Sequence, residues 1–316
     1  MGLIRQKLLK RWGWKMYDLV IIGAGPAGIT ASIYAARKKM DFLVIARDIG
    51  GQAVLSYDIE NYTGYQFITG PELAERFRQH IHSFNIQVRE GEEVKLLQRR
   101  EDKVIKITTD RAEYEAKTAI IASGRIPRKL KVAGETEFKN RGVTYCATCD
   151  GPLFAGQDVC VVGGGNSALD AVLQLMKIAQ KIYLVDKEES LRADPVMVEK
   201  ARSSPLVTIY NNSTVKEIFG EKLVKGIKIS QKEKEITLPV AGIFIEIGSV
   251  PSADFVPDVQ KNNAGEIIVN CRCETNLAGI FAAGDVTDVP AKQIIVACGE
   301  GAKAALSAFQ YLSKQK

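Results

Sequence analysis

The sequence predicts an α/β fold built from two Rossmann-like domains, the second inserted into the first. Two segments repeat one pattern, in which a β-branched apolar run leads into a glycine-rich turn and then into a helix that begins with small residues. The first segment covers residues 17–37 around the turn Gly23–Gly28, and the second covers residues 158–179 around the turn Gly163–Ala168. A predicted strand follows each helix, so each segment is a βαβ unit.

The remaining apolar runs predict further strands in both domains, and a long helix of small residues closes the chain. Because the second βαβ unit lies between strands of the first type, the outer domain is predicted to be discontinuous. This gives an N-terminal extension at 1–16, an outer domain at 17–125 and 249–316, and an inserted domain at 126–248. The strands are predicted at 41–46, 94–97, 104–108, 116–122, 181–185, 207–210, 222–230, 235–238 and 279–283, and the closing helix at 291–312.

The net charge of +6 is concentrated at the start of the chain. Residues 1–16 hold five Lys and Arg residues and no acid, so the remainder is nearly neutral and no nucleic-acid-binding face is predicted. Residues 2–14 could form a basic amphipathic helix on a membrane surface, against the alternative of a disordered or packed extension. The longest apolar runs are strand-length, so no membrane span is predicted. The first residues lack the features of a secretory signal, which predicts a cytoplasmic protein.

Each glycine turn has the spacing and context of a dinucleotide-binding site. Glycine lets the backbone approach a pyrophosphate, and the following helix directs unpaired N–H groups and its positive dipole end at that group. One such motif is weak evidence, whereas two, each between a strand and a helix, predict two bound dinucleotides. The end of the first unit's second strand, Ile45–Arg47, lacks the acid that often binds the adenosine ribose, so this contact is unassigned.

The six cysteines include one CxxC pair, Cys146 and Cys149. In a cytoplasmic protein such a pair points to catalysis or metal binding rather than to a structural disulfide. A helix N-terminus or a nearby cation lowers a thiol pKa and so yields the thiolate that disulfide exchange needs. The alternative is a four-thiolate zinc site with Cys271 and Cys273, although C-x-C is a poor ligand spacing and zinc leaves both glycine turns unexplained.

The other cysteines have ordinary structural interpretations. Cys271 and Cys273 are predicted to alternate on a strand as two small residues on one face, with an auxiliary dithiol as the alternative. Cys160 lies in a predicted buried strand and Cys298 in a predicted helix, where cysteine commonly acts as a small hydrophobic residue.

Eight short segments carry a likeness to a known family: Gly23–Gly28, Gly50–Gln52, Glu60–Tyr62, Ala122–Gly124, Cys146–Gly151, Gly163–Ala168, Gly279–Asp285 and Lys292–Ala302. On these segments the chain resembles low-molecular-weight thioredoxin reductases and the reductase portion of the alkyl hydroperoxide reductase flavoprotein subunit. The resemblance implies a discontinuous FAD-binding domain and an inserted pyridine-nucleotide-binding domain that carries the CxxC pair, both of the three-layer ββα Rossmann-like kind. It also implies a homodimer.

The resemblance further implies roles for individual residues. Cys149 would face the flavin as the charge-transfer thiolate, Cys146 would attack the substrate disulfide, and Asp150 would donate and accept protons. Domain rotation is a property of the family. Gly124 and Gly248 lie at the two crossings, where the chain passes between the outer and the inserted domain, and are candidate hinges. The FAD-binding residues are expected to be Gly23, Gly25, Pro26, Ala27, Gly28, Gly50, Gly51, Gln52, Asn61, Val94, Ala122, Ser123, Gly124, Gly284, Asp285, Lys292, Gln293 and Ile294. The pyridine-nucleotide-binding residues are expected to be Gly163, Gly165, Asn166, Ser167, Ala168, Asp186, Lys187, Arg192, Ile247 and Gly248.

The second βαβ unit also bears on the electron donor. Asp186 ends its second strand, where an acid can accept hydrogen bonds from both adenosine ribose hydroxyls and would repel a 2′-phosphate. NADPH-dependent members carry several basic residues here, of which Arg192 remains and Lys187 partly replaces another. NADH is therefore predicted over NADPH, with ferredoxin or another donor as the alternative. The resemblance implies a thioredoxin- or glutaredoxin-like protein disulfide as the substrate, with a peroxiredoxin-linked carrier or a non-enzymatic redox sensor as alternatives.

Overall fold

The computed structural model describes residues 15–55 and 59–315. The predicted amphipathic helix over residues 2–14 lies outside these ranges. The chain divides into two compact units, one made of the described residues up to Ile126 together with those from Pro251 onward, and the other of Pro127–Val250. Each unit has its own helices and its own main sheet, which is mixed in the first unit and parallel in the second.

The described ranges contain seventeen strands and six α-helices. The strands are β1 (Met16–Ala24), β2 (Phe42–Ile49), β3 (Val88–Glu90), β4 (Val94–Arg99), β5 (Ile105–Thr109), β6 (Glu113–Ile121), β7 (Arg125–Pro127), β8 (Val143–Thr144), β9 (Asp158–Val162), β10 (Lys181–Val185), β11 (Val207–Tyr210), β12 (Ser213–Gly220), β13 (Val224–Gln231), β14 (Lys234–Pro239), β15 (Gly242–Ile245), β16 (Ser249–Pro251) and β17 (Ile280–Ala282). The helices are α1 (Pro26–Arg37), α2 (Gly70–Ser83), α3 (Ala147–Asp150), α4 (Asn166–Leu175), α5 (Pro195–Ser203) and α6 (Ile294–Ser313). Short 3₁₀ turns lie at Gly51–Leu55 and Gly151–Phe154.

The first unit is organised around a sheet with the strand order β3-β2-β1-β6-β5-β4, in which β17 also pairs with β6. Its central parallel strands are covered on both faces, so successive side chains enter two different cores. Leu19 and Ile21 of β1 face the core formed with α1, α2 and α6, whereas Val20 and Ile22 face the core formed with β4 and β5.

Local sequence signals determine how the helices of this unit begin and pack. At the start of α2, the Thr69 hydroxyl accepts the N–H of Glu72 and the Glu72 carboxylate accepts the N–H of Thr69, which is a capping box. Helix α6 packs closely on α1 because Gly301 has no side chain. A Cβ at Gly301 would lie 2.0 Å from the carbonyl oxygen of Ala27. The closing helix therefore supports the start of α1 directly.

The second unit has three layers. Its parallel sheet has the order β11-β10-β9-β15-β8, and the antiparallel sheet β12-β13-β14 covers one face. Cys160 and Val162 of β9 pack against the antiparallel sheet, whereas Val159 and Val161 pack against α4. The alternating burial of β9 thus reflects a sheet that is enclosed on both sides. Strand β12 was not predicted from the sequence, because lysine and glutamate interrupt its apolar pattern.

Two further features lie outside these larger sheets. The strands β7 and β16 form a two-stranded sheet at the two crossings of the chain.

The prediction that Cys271 and Cys273 alternate on one face of a strand is wrong. The Asn270 side chain accepts the N–H groups of Arg272 and Glu274 at 2.9 and 3.1 Å, which turns the chain, so Cys271 is exposed and Cys273 is buried with a φ of +61°. In the described ranges, no helix has the length and apolar character that crossing a bilayer requires.

Candidate functional site

The first glycine turn joins β1 to α1 through close backbone contacts. Gly23 has a φ of +105°, and a Cβ at this position would lie 2.3 Å from the carbonyl oxygen of Ala122. A Cβ at Gly28 would lie 1.9 Å from the carbonyl oxygen of Gly23. Gly25 differs, because its nearest contact is the Cα of Gly51 at 3.9 Å. Gly23 and Gly28 therefore hold the turn together, and Gly25 and Gly51 keep its outer side open.

The first turn of α1 is suited to binding an anion. Gly25 caps the helix, Pro26 occupies its first turn, and no described side chain caps its N–H groups. No acid lies in this turn, so the helix itself supplies no carboxylate to the N–H groups of Ala27 and Gly28 or to the positive dipole end. Gly50 and Gly51, with φ of +106° and +56°, bring a second backbone segment to this place. A pyrophosphate fits such a cradle.

A buried carboxylate on α6 supports the turn that follows β17. Glu300 is 7% exposed and accepts the N–H of Gly284 at 2.9 Å and the hydroxyl of Thr287 at 3.4 Å. Burial raises the pKa of the neighbouring Asp285, and the charges of Lys292 and Arg125 oppose this shift. Sequence reasoning missed Glu300, for which the available signal was a single acid within a helix of small residues.

Lys292 belongs to a charged network within the first unit. Its ammonium group lies 3.0 Å from Glu266 and donates to the carbonyl oxygen of Thr287 at 2.5 Å. Arg125 pairs with the same Glu266 oxygen at 2.9 Å. Hydrogen bonding from Asn262, followed by Lys292 and Arg125, lowers the pKa of Glu266. Arg125 and Glu266 were not predicted, because 141 residues separate them in the chain.

Three of the predicted flavin-side polar residues make side-chain hydrogen bonds within the first unit. Asn61 donates its amide N–H to the side-chain oxygen of Gln293 at 3.0 Å, and Gln293 caps α6, which begins at Ile294. Gln52 donates to the carbonyl oxygen of Arg125 at 2.6 Å. The structure thus joins two of the predicted segments, those of Asn61 and Gln293, and links Gln52 to a residue that was not predicted.

Two of the predicted FAD residues have other contacts. The side chain of Val94 is buried in the core on the β4 and β5 side of the sheet. The hydroxyl of Ser123 donates to the carbonyl oxygen of Ser252 at 2.6 Å, and the N–H of Ser252 donates to the carbonyl of Gly124 at 2.9 Å. Both contacts of Ser252 stabilise the segment that contains the first chain crossing. Gly124 itself has a φ of +63°.

The second glycine turn repeats the geometry of the first. Gly163 has a φ of +137°, and a Cβ there would lie 2.2 Å from the carbonyl oxygen of Glu246 and 3.2 Å from the Cβ of Ala168, which is fully buried. Gly165 caps α4, with no described atom within 4 Å of a Cβ built on it. A Cβ at Gly164 would lie 1.9 Å from Oδ2 of Asp186. Gly164 was not singled out from the sequence.

Asp186 lies against this turn at the end of β10. The residue is 3% exposed, and its Oδ2 atom is buried without a hydrogen-bond partner among the described residues. Its Oδ1 atom lies 4.0 Å from the guanidinium of Arg192, and the backbone N–H of Arg192 donates to the carbonyl of Gly164 at 2.7 Å. Lys187 is exposed and lies 3.6 Å from Glu188. Both predicted cations in this region thus lie beside carboxylates.

The remaining nucleotide-side predictions lie around the same sheet edge. Asn166 accepts the N–H of Asp194 at 2.8 Å, and Ser167 is exposed. The carbonyl of Gly248, which follows Ile247 and has a φ of +89°, accepts the N–H of Arg128 at 2.9 Å.

Glu246, just before Ile247, was not predicted as part of the site. Burial, followed by the negative charge of Asp170 on α4, raises the pKa of Glu246 to about 8. The backbone carbonyl of Glu246 faces the glycine turn, because a Cβ at Gly163 would lie 2.2 Å from its oxygen.

Cys146 and Cys149 form a disulfide across α3, with their Cα atoms 5.4 Å apart. The N–H of Cys149 donates to the sulfur of Cys146 at 3.0 Å, so this sulfur caps the short helix. Cys149 is exposed and Cys146 is half-buried. Asp150 follows directly, and the hydroxyl of Thr144 donates to its Oδ2 atom.

The other cysteines do not join this pair. Cys160, Cys273 and Cys298 are buried, and Cys271 is exposed. Among the described residues, no group of three or more His, Cys, Asp or Glu side chains could hold a metal ion. The zinc alternative also required Cys271 and Cys273, which belong to the other compact unit.

The model of the pyridine nucleotide-disulphide oxidoreductase family matches residues 17–301. The chain belongs to this family. The oxidoreductase is 36% identical to the thioredoxin reductase of Lactococcus lactis, whose crystal structure superposes with a TM-score of 0.84 over 94% of this chain and 99% of that chain.

Two longer relatives are similar to almost the whole chain. The oxidoreductase is 40% identical over 307 residues to an alkyl hydroperoxide reductase subunit of Escherichia coli and 39% identical over 299 residues to a Bacillus subtilis protein named NADH dehydrogenase. These alignments cover 95% and 94% of this chain, which spans 59% and 58% of the length of the two relatives. The resemblance and the two Rossmann-like domains predicted from the sequence are thus confirmed. The family is one of flavoprotein disulfide oxidoreductases, and membership implies FAD and a nicotinamide cofactor.

Proposed function

We propose that the oxidoreductase passes electrons from NADH through FAD and the Cys146–Cys149 pair to the disulfide of a small thioredoxin- or glutaredoxin-like protein. The observation that carries this proposal is the disulfide at Cys146 and Cys149, which lies in the same compact unit as the second glycine turn. A CxxC disulfide in the same unit as such a turn is suited to redox exchange rather than to structural bracing, because it closes only one short turn.

The first unit has the features that FAD needs. The uncapped start of α1, the outer side of Gly25 and Gly51, and the absence of an acid in the first helical turn suit its pyrophosphate. We assign the contacts with the flavin part of FAD to two pairs of residues. One is Asp285 with Lys292, and the other is the paired amides of Asn61 and Gln293.

The second unit has the features that a nicotinamide dinucleotide needs. Helix α4 also begins without a side-chain cap or an acid from the described residues in its first turn. The Oδ2 atom of Asp186 is a buried acceptor without a hydrogen-bond donor among the described residues. The hydroxyls of a bound ribose could donate hydrogen bonds to it. Gly164 is compatible with this arrangement only as glycine, because any side chain would displace the Asp186 carboxylate.

Three observations favour NADH over NADPH. The carboxylate of Asp186 at the end of β10 would repel a 2′-phosphate bound there. Arg192 is directed toward Asp186, and Lys187 lies beside Glu188, so neither cation forms a separate phosphate site. The Bacillus subtilis relative is named for NADH.

The side chains of the dithiol have distinct parts in exchange. Bound NADH and FAD would supply hydride and electron-transfer chemistry that amino-acid side chains cannot. After reduction, the N–H of Cys149 stabilises a thiolate on Cys146, which bonds to one substrate sulfur and expels the other. Cys149 then attacks the sulfur of Cys146, which re-forms the disulfide and releases the second substrate thiolate. Asp150 accepts the proton of the Cys149 thiol and returns it to a departing thiolate.

The test compares electron donors under anaerobic conditions. The flavin absorbance of the FAD-loaded protein is followed after mixing with NADH, NADPH or reduced ferredoxin, and the reduced protein is then offered thioredoxin. The proposal expects rapid bleaching by NADH, slower bleaching by NADPH, and recovery of the oxidised spectrum with thioredoxin. Bleaching of the flavin by reduced ferredoxin but by neither nucleotide would refute NADH as the electron donor. Recovery only with a peroxiredoxin-linked carrier, which the likeness to the alkyl hydroperoxide reductase protein of Escherichia coli makes the second candidate, would refute the acceptor.

A further inference from the structure

Thr144 connects Asp150 to the parallel sheet of the second unit. It ends β8, which pairs with β15 so that Thr144 lies opposite Phe244, and it is 5% exposed. Its hydroxyl donates to Oδ2 of Asp150 and accepts the N–H of Cys146 at 3.1 Å. The direction of both bonds is fixed, because a carboxylate only accepts and a backbone N–H only donates. One buried hydroxyl therefore bonds both the carboxylate of Asp150 and the backbone of Cys146, and only the first of these is a side-chain contact.

We propose that Thr144 is the positioning residue for Asp150 during dithiol exchange. This inference rests on the proposed function and deepens it by naming what holds the proton-transfer group in place. Asp150 ends a helix of four residues, which alone would leave its carboxylate several rotamers. The hydrogen bond from Thr144 restricts the position of Oδ2, and we assign the proton transfer with the thiol to Oδ1.

The step that Thr144 would assist is the resolution of the mixed disulfide. Cys149 loses its proton to Asp150 and attacks the sulfur of Cys146, whose bond to the substrate sulfur breaks. The substrate sulfur leaves as a thiolate and takes the proton back from Asp150, so neither the charge nor the electron count changes. The first step, attack by the Cys146 thiolate, does not need this proton transfer.

A second threonine in the same turn provides a matched control. Thr148 lies between the two cysteines, and its hydroxyl donates to the side-chain oxygen of Gln174 on α4 at 3.0 Å. Replacement of Thr148 by valine therefore removes a hydroxyl from the same helix without touching the contact between Thr144 and Asp150.

The experiment uses FAD-loaded protein that is reduced with dithiothreitol, desalted and mixed with the aromatic disulfide DTNB in a stopped-flow instrument. The exposed Cys271 is replaced by serine in every sample, so that it does not react with the probe. Attack by Cys146 releases one coloured thiolate, and resolution by Cys149 releases a second. Thr144→Val is compared with Thr144→Ser, Thr148→Val, Asp150→Asn and the double variant Thr144→Val/Asp150→Asn. Thr144→Ala serves as a second test of hydroxyl removal, and thermal unfolding checks that each variant is folded.

We expect Thr144→Val and Thr144→Ala to slow the second phase about tenfold and to leave the first within about twofold. Thr144→Ser and Thr148→Val should match the parent protein. In the Asp150→Asn background, Thr144→Val should add less than about twofold, because both changes remove the same proton transfer. Equal rates for Thr144→Val and the parent, failure of serine to restore the rate, or a full tenfold effect in the Asp150→Asn background would each overturn the inference. The assay contains no nucleotide or partner protein, so a wrong donor or acceptor in the proposed function would leave its result unchanged.

Discussion

Replacement of Gly301 by alanine should weaken FAD binding through a residue that is not expected to touch the cofactor. The new Cβ would lie 2.0 Å from the carbonyl oxygen of Ala27, whereas real Cβ contacts stay above 3.0 Å, so α6 and α1 must separate by about 1 Å. Overpacking of this kind costs about 2 kcal/mol. Because Ala27 belongs to the first turn of α1, we expect the strain to be released there and the FAD dissociation constant to rise about 30-fold.

A neighbouring glycine gives the matched control. Gly299 lies on the same helix, and a Cβ built there has no described atom within 4 Å, so alanine should stabilise the helix by about 0.5 kcal/mol. Thermal unfolding and fluorescence titration of FAD into stripped protein would be measured for both variants. Equal FAD affinity and equal unfolding temperature for Gly301→Ala and Gly299→Ala would refute the packing argument.

Three further predictions concern carboxylate side chains. Asp186→Asn should lower the ratio of kcat/KM for NADH to that for NADPH about tenfold, because charged acceptors make the stronger hydrogen bonds; an unchanged ratio in steady-state assays would contradict the assigned role. Glu300→Ala should destabilise the first unit by about 1–3 kcal/mol in denaturant unfolding and reduce retained FAD, because it leaves the N–H of Gly284 buried and unpaired, whereas Glu300→Gln should lose less. Because the pKa of Glu246 rises from 4.5 to about 8 through burial and then Asp170, the folded state holds the proton more tightly, and wild-type stability should fall relative to Glu246→Gln as pH rises through this range. If the difference in unfolding temperature between wild type and Glu246→Gln stays the same at every pH, the protonation of Glu246 does not contribute to the pH dependence of stability.

The sequence was sufficient for features that depend on local spacing. Each glycine turn follows a β-branched run and precedes small residues, and the backbone contacts of Gly23, Gly28 and Gly163 explain why those positions have no side chain. The disulfide at Cys146 and Cys149 likewise depends on a spacing of three residues. Such short-range patterns leave the chain few alternative conformations.

Contacts between distant segments were beyond the reach of sequence reasoning. Arg125 meets Glu266 across 141 residues, and Glu300 supports Gly284 from a separate helix. No periodicity specifies these pairs, because each depends on how α6 and the strand ends pack. The Cys271 turn was mispredicted for a related reason, since the side chain of Asn270 bonds the backbone and overrides the apparent alternation.

Asp186 shows the boundary between the two cases. Its place at the end of β10 follows from the βαβ pattern, and its acidic nature was visible at once. The burial of Asp186 against Gly164 could not be predicted from the sequence, because it depends on how closely the glycine turn approaches the strand end. The sequence therefore indicated the type of group at this position but not how tightly the turn encloses it.

The central claim is that the Cys146–Cys149 pair receives electrons from the flavin, and counting electrons tests it most directly. The FAD-loaded protein would be titrated with NADH under anaerobic conditions while flavin absorbance and free thiols are measured. We expect wild-type protein to take up two equivalents of NADH per chain, one for the flavin and one for the disulfide, with two new thiols. The Cys146→Ser/Cys149→Ser variant should take up one. A wild-type protein whose flavin is fully reduced by one equivalent, with the disulfide still intact under excess NADH, would contradict the account.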